Sequence, residues 1–393
     1  MPLAYKSFGP RRTAARSTGR RRLAIILLFA CAAGGCATPN QVADSPERGL
    51  RQAFISARIL ARTNQPENVK PIAALQKENA RKLSELVAGG ALGAREVLIA
   101  RFARAEAAIQ AAYRERDPAA PVNREVLRQG LEDMEAFIAR PDFDYPEWGI
   151  TPAQALKIAG GAAVLLDDGA KGYSYYRRCA DLGQMACRNI VADAKQYGRY
   201  SQGIDLGEAM KYHLMVVGIG TDWGCAGAFS SNAIAKMIFY QGATSPDGNA
   251  VDWARRARRL ARNGADAIGN ANLCYQSSMA LDEYLYSLAR GESRPKVLRE
   301  ALAIKQPKSL EHMALLRYIA GDSAEKKDAA KREFDELMFK MNKYSEQCNV
   351  VLNALLYASL TGNKDDAGRY RDFISTHAQD FCADEAPLMK AIK

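Results

Sequence analysis

The sequence predicts an all-α chain in which antiparallel helix hairpins stack as an α-solenoid behind extra N-terminal helices. Three observations carry that prediction. Apolar residues recur at helical spacing from Leu50 to the end of the chain. No stretch alternates β-branched and polar residues between hairpin turns, so a sheet has no source. Aromatic-to-glycine blocks return in the middle of the chain, at intervals of 37 and 41 residues.

A chain of 393 residues, 48% hydrophobic and 25% charged, can bury a real core. Its net charge of +11 looks like an affinity for nucleic acid, but the first 35 residues supply seven bases, from Lys6 to Arg22, and no acid. Beyond them 48 bases face 44 acids. The polycationic character therefore belongs to a leader, and no nucleic-acid partner is expected.

In that leader Arg20-Arg21-Arg22 runs into an apolar stretch from Leu23 to Ala33, followed by small residues and Cys36. Eleven apolar residues cannot span a bilayer core that needs roughly 20, so this is a signal peptide rather than a membrane helix. Ala33-Gly34-Gly35-Cys36 resembles the lipobox of bacterial lipoproteins, which implies that Cys36 becomes the acylated first residue. A competing cut before Cys31 fits the usual leucine preference better but shortens the apolar stretch. Acylation at Cys36 leaves an even six cysteines, Cys179, Cys187, Cys225, Cys274, Cys348 and Cys382, free to pair in an oxidising periplasm. Ala37 lacks the aspartate that holds such lipoproteins at the inner membrane, so the resemblance implies a periplasm-facing protein, with the outer membrane favoured.

Residues 36–44 form a tether. In the N-terminal helical region, 45–150, Ser45-Pro46-Glu47 starts a helix that carries Leu50, Phe54 and Ile55, and Asn64-Gln65-Pro66 stops it. Further helices follow from Pro71 to Val87, from Glu96 to Arg116, and from the cap Asn123 to Arg140. The repeat region, 151–291, contains Tyr175 eight residues before Gly183 and Tyr212 eight before Gly220. Ala209 precedes Tyr212 by three residues, and Ala250 precedes Trp253 by the same offset. Second helices are expected over 184–196, 224–240 and from Ala265 to about Leu288. Small residues at a crossing, an aromatic wedge and a glycine at the turn let two helices pack closely and reverse.

Tyr175-Tyr-Arg-Arg-Cys-Ala-Asp-Leu-Gly183 and Asp205-Leu-Gly-Glu-Ala-Met-Lys-Tyr212 resemble the Sel-one-like repeat, a relative of the tetratricopeptide repeat, over about 120 residues. The resemblance implies stacked hairpins with a concave face for a peptide or protein. Cys179 and Cys187 look like the bridge that helical cysteine-rich members of this family place between the two helices of one repeat. Six cysteines allow fifteen pairings. Proximity in the chain adds Cys225 with Cys274 and Cys348 with Cys382. The C-terminal region, 292–393, continues as tetratricopeptide-like helices, with Leu355, Tyr357, Tyr370 and Phe373 around Gly362.

Catalytic chemistry has little to draw on. His213, His312 and His377 form no zinc-binding spacing, and no nucleophile elbow, phosphate loop or dinucleotide fingerprint occurs, so no metal and no cofactor are expected. Two surfaces could meet a ligand or partner. One is the loop with Phe143, Tyr145 and Trp148 among acids, which reads equally as the bridge that docks the N-terminal helices on the repeat region; the other is the arginine-rich helix face with Arg255 and Arg259, which reads equally as a solvated outer face. The reading is a non-catalytic, lipid-anchored envelope scaffold that binds another envelope protein. Its alternative is a peptidoglycan-related enzyme or regulatory subunit whose acid lies in the loop from Phe143 to Trp148.

Overall fold

A computed structural model describes residues 46–62, 69–114, 124–140, 144–218, 225–268, 276–304, 310–340 and 345–392. Cys36, Phe143, Gly220 and Cys274 lie outside the described residues. Among the described residues every regular element is helical, apart from an isolated bridge between Tyr145 and Ile150. The helices are α1 (Pro46–Arg62), α2 (Val69–Ala88), α3 (Ala94–Arg114), α4 (Arg124–Ile138), α5 (Pro152–Leu165) and α6 (Gly169–Asp181). Then come α7 (Met185–Tyr197), α8 (Leu206–Gly218), α9 (Ala226–Gln241), α10 (Ala250–Ile268), α11 (Gln276–Ala289) and α12 (Pro295–Leu302). The chain ends with α13 (Leu310–Ala320), α14 (Ala324–Lys340), α15 (Ser345–Leu360), α16 (Lys364–Thr376) and α17 (Glu385–Met389).

Local chemistry sets these boundaries. Thr151 caps α5 by accepting from the Gln154 amide, with Pro152 in the first turn. Asp168 caps α6 through the Lys171 amide and Asn363 caps α16 through the Asp366 amide. Gly183 takes φ +87° between α6 and α7, a conformation that favours glycine. The third repeat departs from expectation. Helix α10 continues through Gly264 to Ile268, and the next helix begins at Gln276 rather than Ala265. One internal glycine costs only about 1 kcal/mol, and the buried stripe of Trp253, Ala254, Ala257 and Ala261 holds the helix together.

Apart from the step from α14 to α15, each helix packs on its chain neighbours, as a solenoid of hairpins requires. The closest crossing is in α5/α6. A Cβ on Gly160 would stand 2.7 Å from the Tyr176 ring, and one on Gly172 would stand 2.6 Å from Val164. Odd-numbered helices also meet the next odd helix: α1 with α3, α3 with α5, α7 with α9, α11 with α13, α13 with α15, and α15 with α17. Helices that touch their second neighbours lie on the shorter side of a curved stack, so the odd helices form its inner layer. In the C-terminal half that layer closes on itself, because α11 also reaches α15 and α9 reaches α17. One apolar core runs from Leu50 to Ala194 and takes in Tyr212, and a second runs from Ala209 to Ile392. They change over between α7 and α8.

Candidate functional site

The repeat residues singled out by sequence share one environment. Tyr175, Tyr212 and Trp253 are buried on α6, α8 and α10, three successive outer helices, and Ala209 and Ala250 are buried beside them. Arginines cover two of these rings, Arg177 over Tyr212 at 5.1 Å and Arg256 over Trp253 at 5.0 Å. The Tyr175 hydroxyl donates to Glu135 at 2.6 Å, so burial and the neighbouring carboxylate hold its proton well above the usual tyrosine range. These residues build hairpins and are not a binding surface.

The cysteines act as clamps. Cys179 and Cys187 form a disulfide across the α6–α7 turn with a Cα separation of 5.8 Å. Cys348 and Cys382 join α15 to the segment before α17, at 5.3 Å. Cys225 is also disulfide-bonded.

Most of the two expected surfaces faces the chain itself. Trp148 meets Phe54 edge-on at 5.1 Å, under Arg51, and Tyr145 meets Phe137 at 6.4 Å, with Arg95 at 5.2 Å over its ring. Glu147 pairs with Arg95. The loop thus ties α1, α3 and α4 together. On α10, Arg258 pairs with the buried Glu283 at 2.5 Å and with Glu300 at 2.6 Å, while Arg255 lies 3.6 Å from Glu283 and 3.5 Å from Asp252. Arg259 stands exposed on the same helix.

A different site emerges from the inner layer. Every odd helix from α7 to α17 sends a polar side chain into one region. Asp193 and Tyr197 come from α7, Asn232, Lys236 and Tyr240 from α9, and Asp282 and Tyr286 from α11. His312 (α13), Asn349 and Asn353 (α15), and Glu385 (α17) complete it. Asp282 is fully buried and accepts 2.8 Å hydrogen bonds from the Asn232 and Asn353 amides. Lys236 donates to Asn349, whose amide lies 3.5 Å from both Ser278 and His312. Tyr286 stacks on Phe239 at 4.3 Å, and Tyr240 meets it edge-on at 5.9 Å. Burial, with Asp282 nearby, pushes both phenols far above their usual range, and among the described residues the two hydroxyls have no polar partner other than each other. At the rim Arg199 pairs with Asp384 and covers the Tyr197 ring at 5.2 Å.

Asp193 is the accessible acid of this region. Its side chain keeps 41% of its surface open to water, yet protein crowds it and lost hydration pushes its carboxyl up to about 6. Burial likewise raises the Glu385 carboxyl. His213 Nε2 lies 3.8 Å from Asp193, its Nδ1 is 3.2 Å from the Ser230 hydroxyl, and Ser230 donates to Asn189. This line of acid, imidazole and hydroxyl is not a nucleophilic triad. Ser230 is fully buried, its proton is committed to Asn189, and burial holds the His213 ring down at about 3.

Sequence reasoning missed this polar cluster because its members are one to three polar residues on each of six helices, spread over nearly 200 positions. Polar residues at i and i+4, Asn232/Lys236 and Asn349/Asn353, on otherwise apolar inner helices were the available signal. Among the described residues no three metal-ligating side chains converge. No protein-family model and no curated protein matches the chain. Among solved structures it is similar to the crystal structure of a Sel1 repeat protein from Oxalobacter formigenes, at 16% identity over 88% of each chain and a TM-score of 0.33. At that level the likeness adds nothing to what the helix packing gives by itself.

Proposed function

We propose that this protein is a non-catalytic scaffold of the bacterial cell envelope, moored by a lipid on Cys36, that binds a partner protein through its inner helix layer. The observation that carries the binding half is the meeting of side chains from α7, α9, α11, α13, α15 and α17 in one polar cluster of the inner layer. A layer needed only for packing would be apolar there, since each buried polar group costs free energy unless it is fully paired. The leader supports the address, and the buried disulfides suit an oxidising compartment. No helix among the described residues is long and apolar enough to cross a membrane. The test is photocrosslinking in intact cells with p-benzoylphenylalanine in place of Tyr197, and with an outer-helix control at Arg178. A discrete adduct from Tyr197 alone is expected. The same ladder at both positions, or no adduct at either, rejects the reading.

One observation favours an envelope enzyme acting on peptidoglycan: a partly exposed acid, Asp193, raised to about 6. That reading requires turnover of cell-wall fragments that Asp193→Asn abolishes. The scaffold has no such turnover to lose.

A further inference from the structure

We infer that the outer layer of the repeat region docks on an anionic phospholipid surface, through one exposed stripe on each of α6, α8, α10 and α12. This contact goes beyond the scaffold reading, of which it takes only the lipid on Cys36, and uses the layer opposite the partner surface. Every acid whose side chain is described on these four helices already has a basic partner. Asp181 lies 3.6 Å from Arg177, Glu208 pairs with Arg177 and at 3.2 Å with Lys195, Asp252 lies 3.5 Å from Arg255, and Glu300 pairs with Arg258 at 2.6 Å. Bases are left over. Arg178, Lys211, Arg259, Arg262, Lys296 and Arg299 are all exposed, and none has an ion-pair partner among the described residues. Those on α10 and α12 adjoin, because the Arg258–Glu300 pair joins the two helices. The surplus charge needs an anionic surface to meet it.

Two further features select a bilayer over an acidic protein. Leu182, 58% exposed at the end of α6, stands four residues after Arg178, and Met215, 41% exposed, stands four after Lys211. Each apolar tip therefore shares a helical stripe with a base. Cations at headgroup level with apolar tips among them are the pattern of helices that lie at a membrane interface. Two separate tips cannot form the desolvated centre that a protein interface needs, whereas a headgroup layer asks only for charge spread over its plane. The tether is the second feature. Ten residues separate Cys36 from Pro46, so an acyl chain on Cys36 holds the start of α1 within about 35 Å of the bilayer. Docking is then an intramolecular event, for which an attraction of about fivefold per base is enough. The inner layer, with its partner surface, faces away from the membrane.

The test is flotation of the full mature chain carrying Cys36→Ala, which has no lipid of its own, with vesicles of equimolar phosphatidylglycerol and phosphatidylcholine or of phosphatidylcholine alone. The chain should float with the mixed vesicles only. Arg259→Gln, Arg262→Gln and Arg299→Gln together should weaken binding about a hundredfold, since three factors of about five multiply. Arg259→Lys, Arg262→Lys and Arg299→Lys together should keep most of it. Lys327→Gln, Arg332→Gln and Lys364→Gln remove the same charge from α14 and α16 and should cost no more than about twofold. Thermal melting of each variant reports whether it is folded. Equal flotation with phosphatidylcholine alone, or equal losses in the two glutamine triples, overturns the inference. So does a hexaglutamate peptide that binds as tightly as the mixed vesicles, because the face would then take an acidic protein. A high-salt wash strips a chain held by charge but not one held by an acyl chain, so washed cell membranes test the anchor separately. If flotation fails while wild type survives the wash and Cys36→Ala does not, the docking falls and the anchor stands. If wild type is washed off as well, the anchor reading falls and flotation still decides the docking.

Discussion

Acid should unfold this protein through two histidines. His213 and His312 are fully enclosed, and burial pushes each ring to about 3; Lys236 adds to the effect at His312. The unfolded chain binds protons at these rings below pH 6.5, whereas the folded chain refuses them until about pH 3. Stability from each ring is therefore complete above 6.5 and falls by about 1.4 kcal/mol per pH unit below it. From pH 7 to pH 5 each ring costs about 2 kcal/mol, and the pair about 4. Asp193 acts in the opposite direction: raised to about 6, it takes up a proton in the folded state first and so adds stability as pH falls. Being 41% exposed, it is partly screened and returns less than about 1 kcal/mol over the same interval. The two rings and Asp193 together leave a loss of about 3 kcal/mol, which the raised Glu385 carboxyl offsets further, and even part of that is large beside a total of typically 5–15. Guanidinium unfolding followed by circular dichroism at pH 7, 6 and 5 measures it. His213→Gln keeps a polar group opposite Ser230 but cannot titrate, and should flatten the slope by about 1.4 kcal/mol per unit. If wild type and variant lose stability in parallel, the ring is not held neutral by burial and the reasoning fails.

Four further outcomes follow from the same structure. On the loop-entropy account, replacing Cys348 and Cys382 by Ala should cost about 4 kcal/mol and replacing Cys179 and Cys187 about 2.5, because the closed loops span 34 and 8 residues; denaturant midpoints that reverse this order count against it. Gly172→Ala should destabilise by about 1–2 kcal/mol because its Cβ meets Val164 and the Gly160 carbonyl, whereas Gly368→Ala, with open space around it in α16, should stabilise by about 1; calorimetry separates the two signs. Asn353→Leu removes one of two donors to the buried Asp282 and should cost about 2–3 kcal/mol, much of it regained when Asp282 also becomes Leu. The mature chain should begin at acylated Cys36 by intact mass, and Cys36→Ala should release it from the membrane fraction; a mature N-terminus at Cys31 contradicts this.

Much of the helical architecture was legible because its signals are local. The apolar stripe of Leu127, Leu131 and Met134 and the turn at Gly183 each act within one or two helical turns. Gly264 misled because a glycine stops a helix only when no buried face carries it onward, and that face depends on what α10 packs against. The loop aromatics read from sequence either as a lip for a ligand or as a bridge on which the N-terminal helices dock, and sequence alone could not choose, for a related reason. Tyr145 and Trp148 look like a lip for a ligand until Phe54 and Phe137, distant in the chain, are placed against them.

By itself the sequence determined the helix class, the repeating aromatic positions and which cysteines stand close enough in the chain to pair, since all of these depend on spacing along one strand of residues. Tertiary structure alone decided that Asp193, Lys236, Asp282, Asn353 and Glu385 belong to one polar cluster. Their meeting depends on how tightly the inner layer curls from α7 to α17. That curvature accumulates from many small helix crossings, and no single crossing is written in a motif.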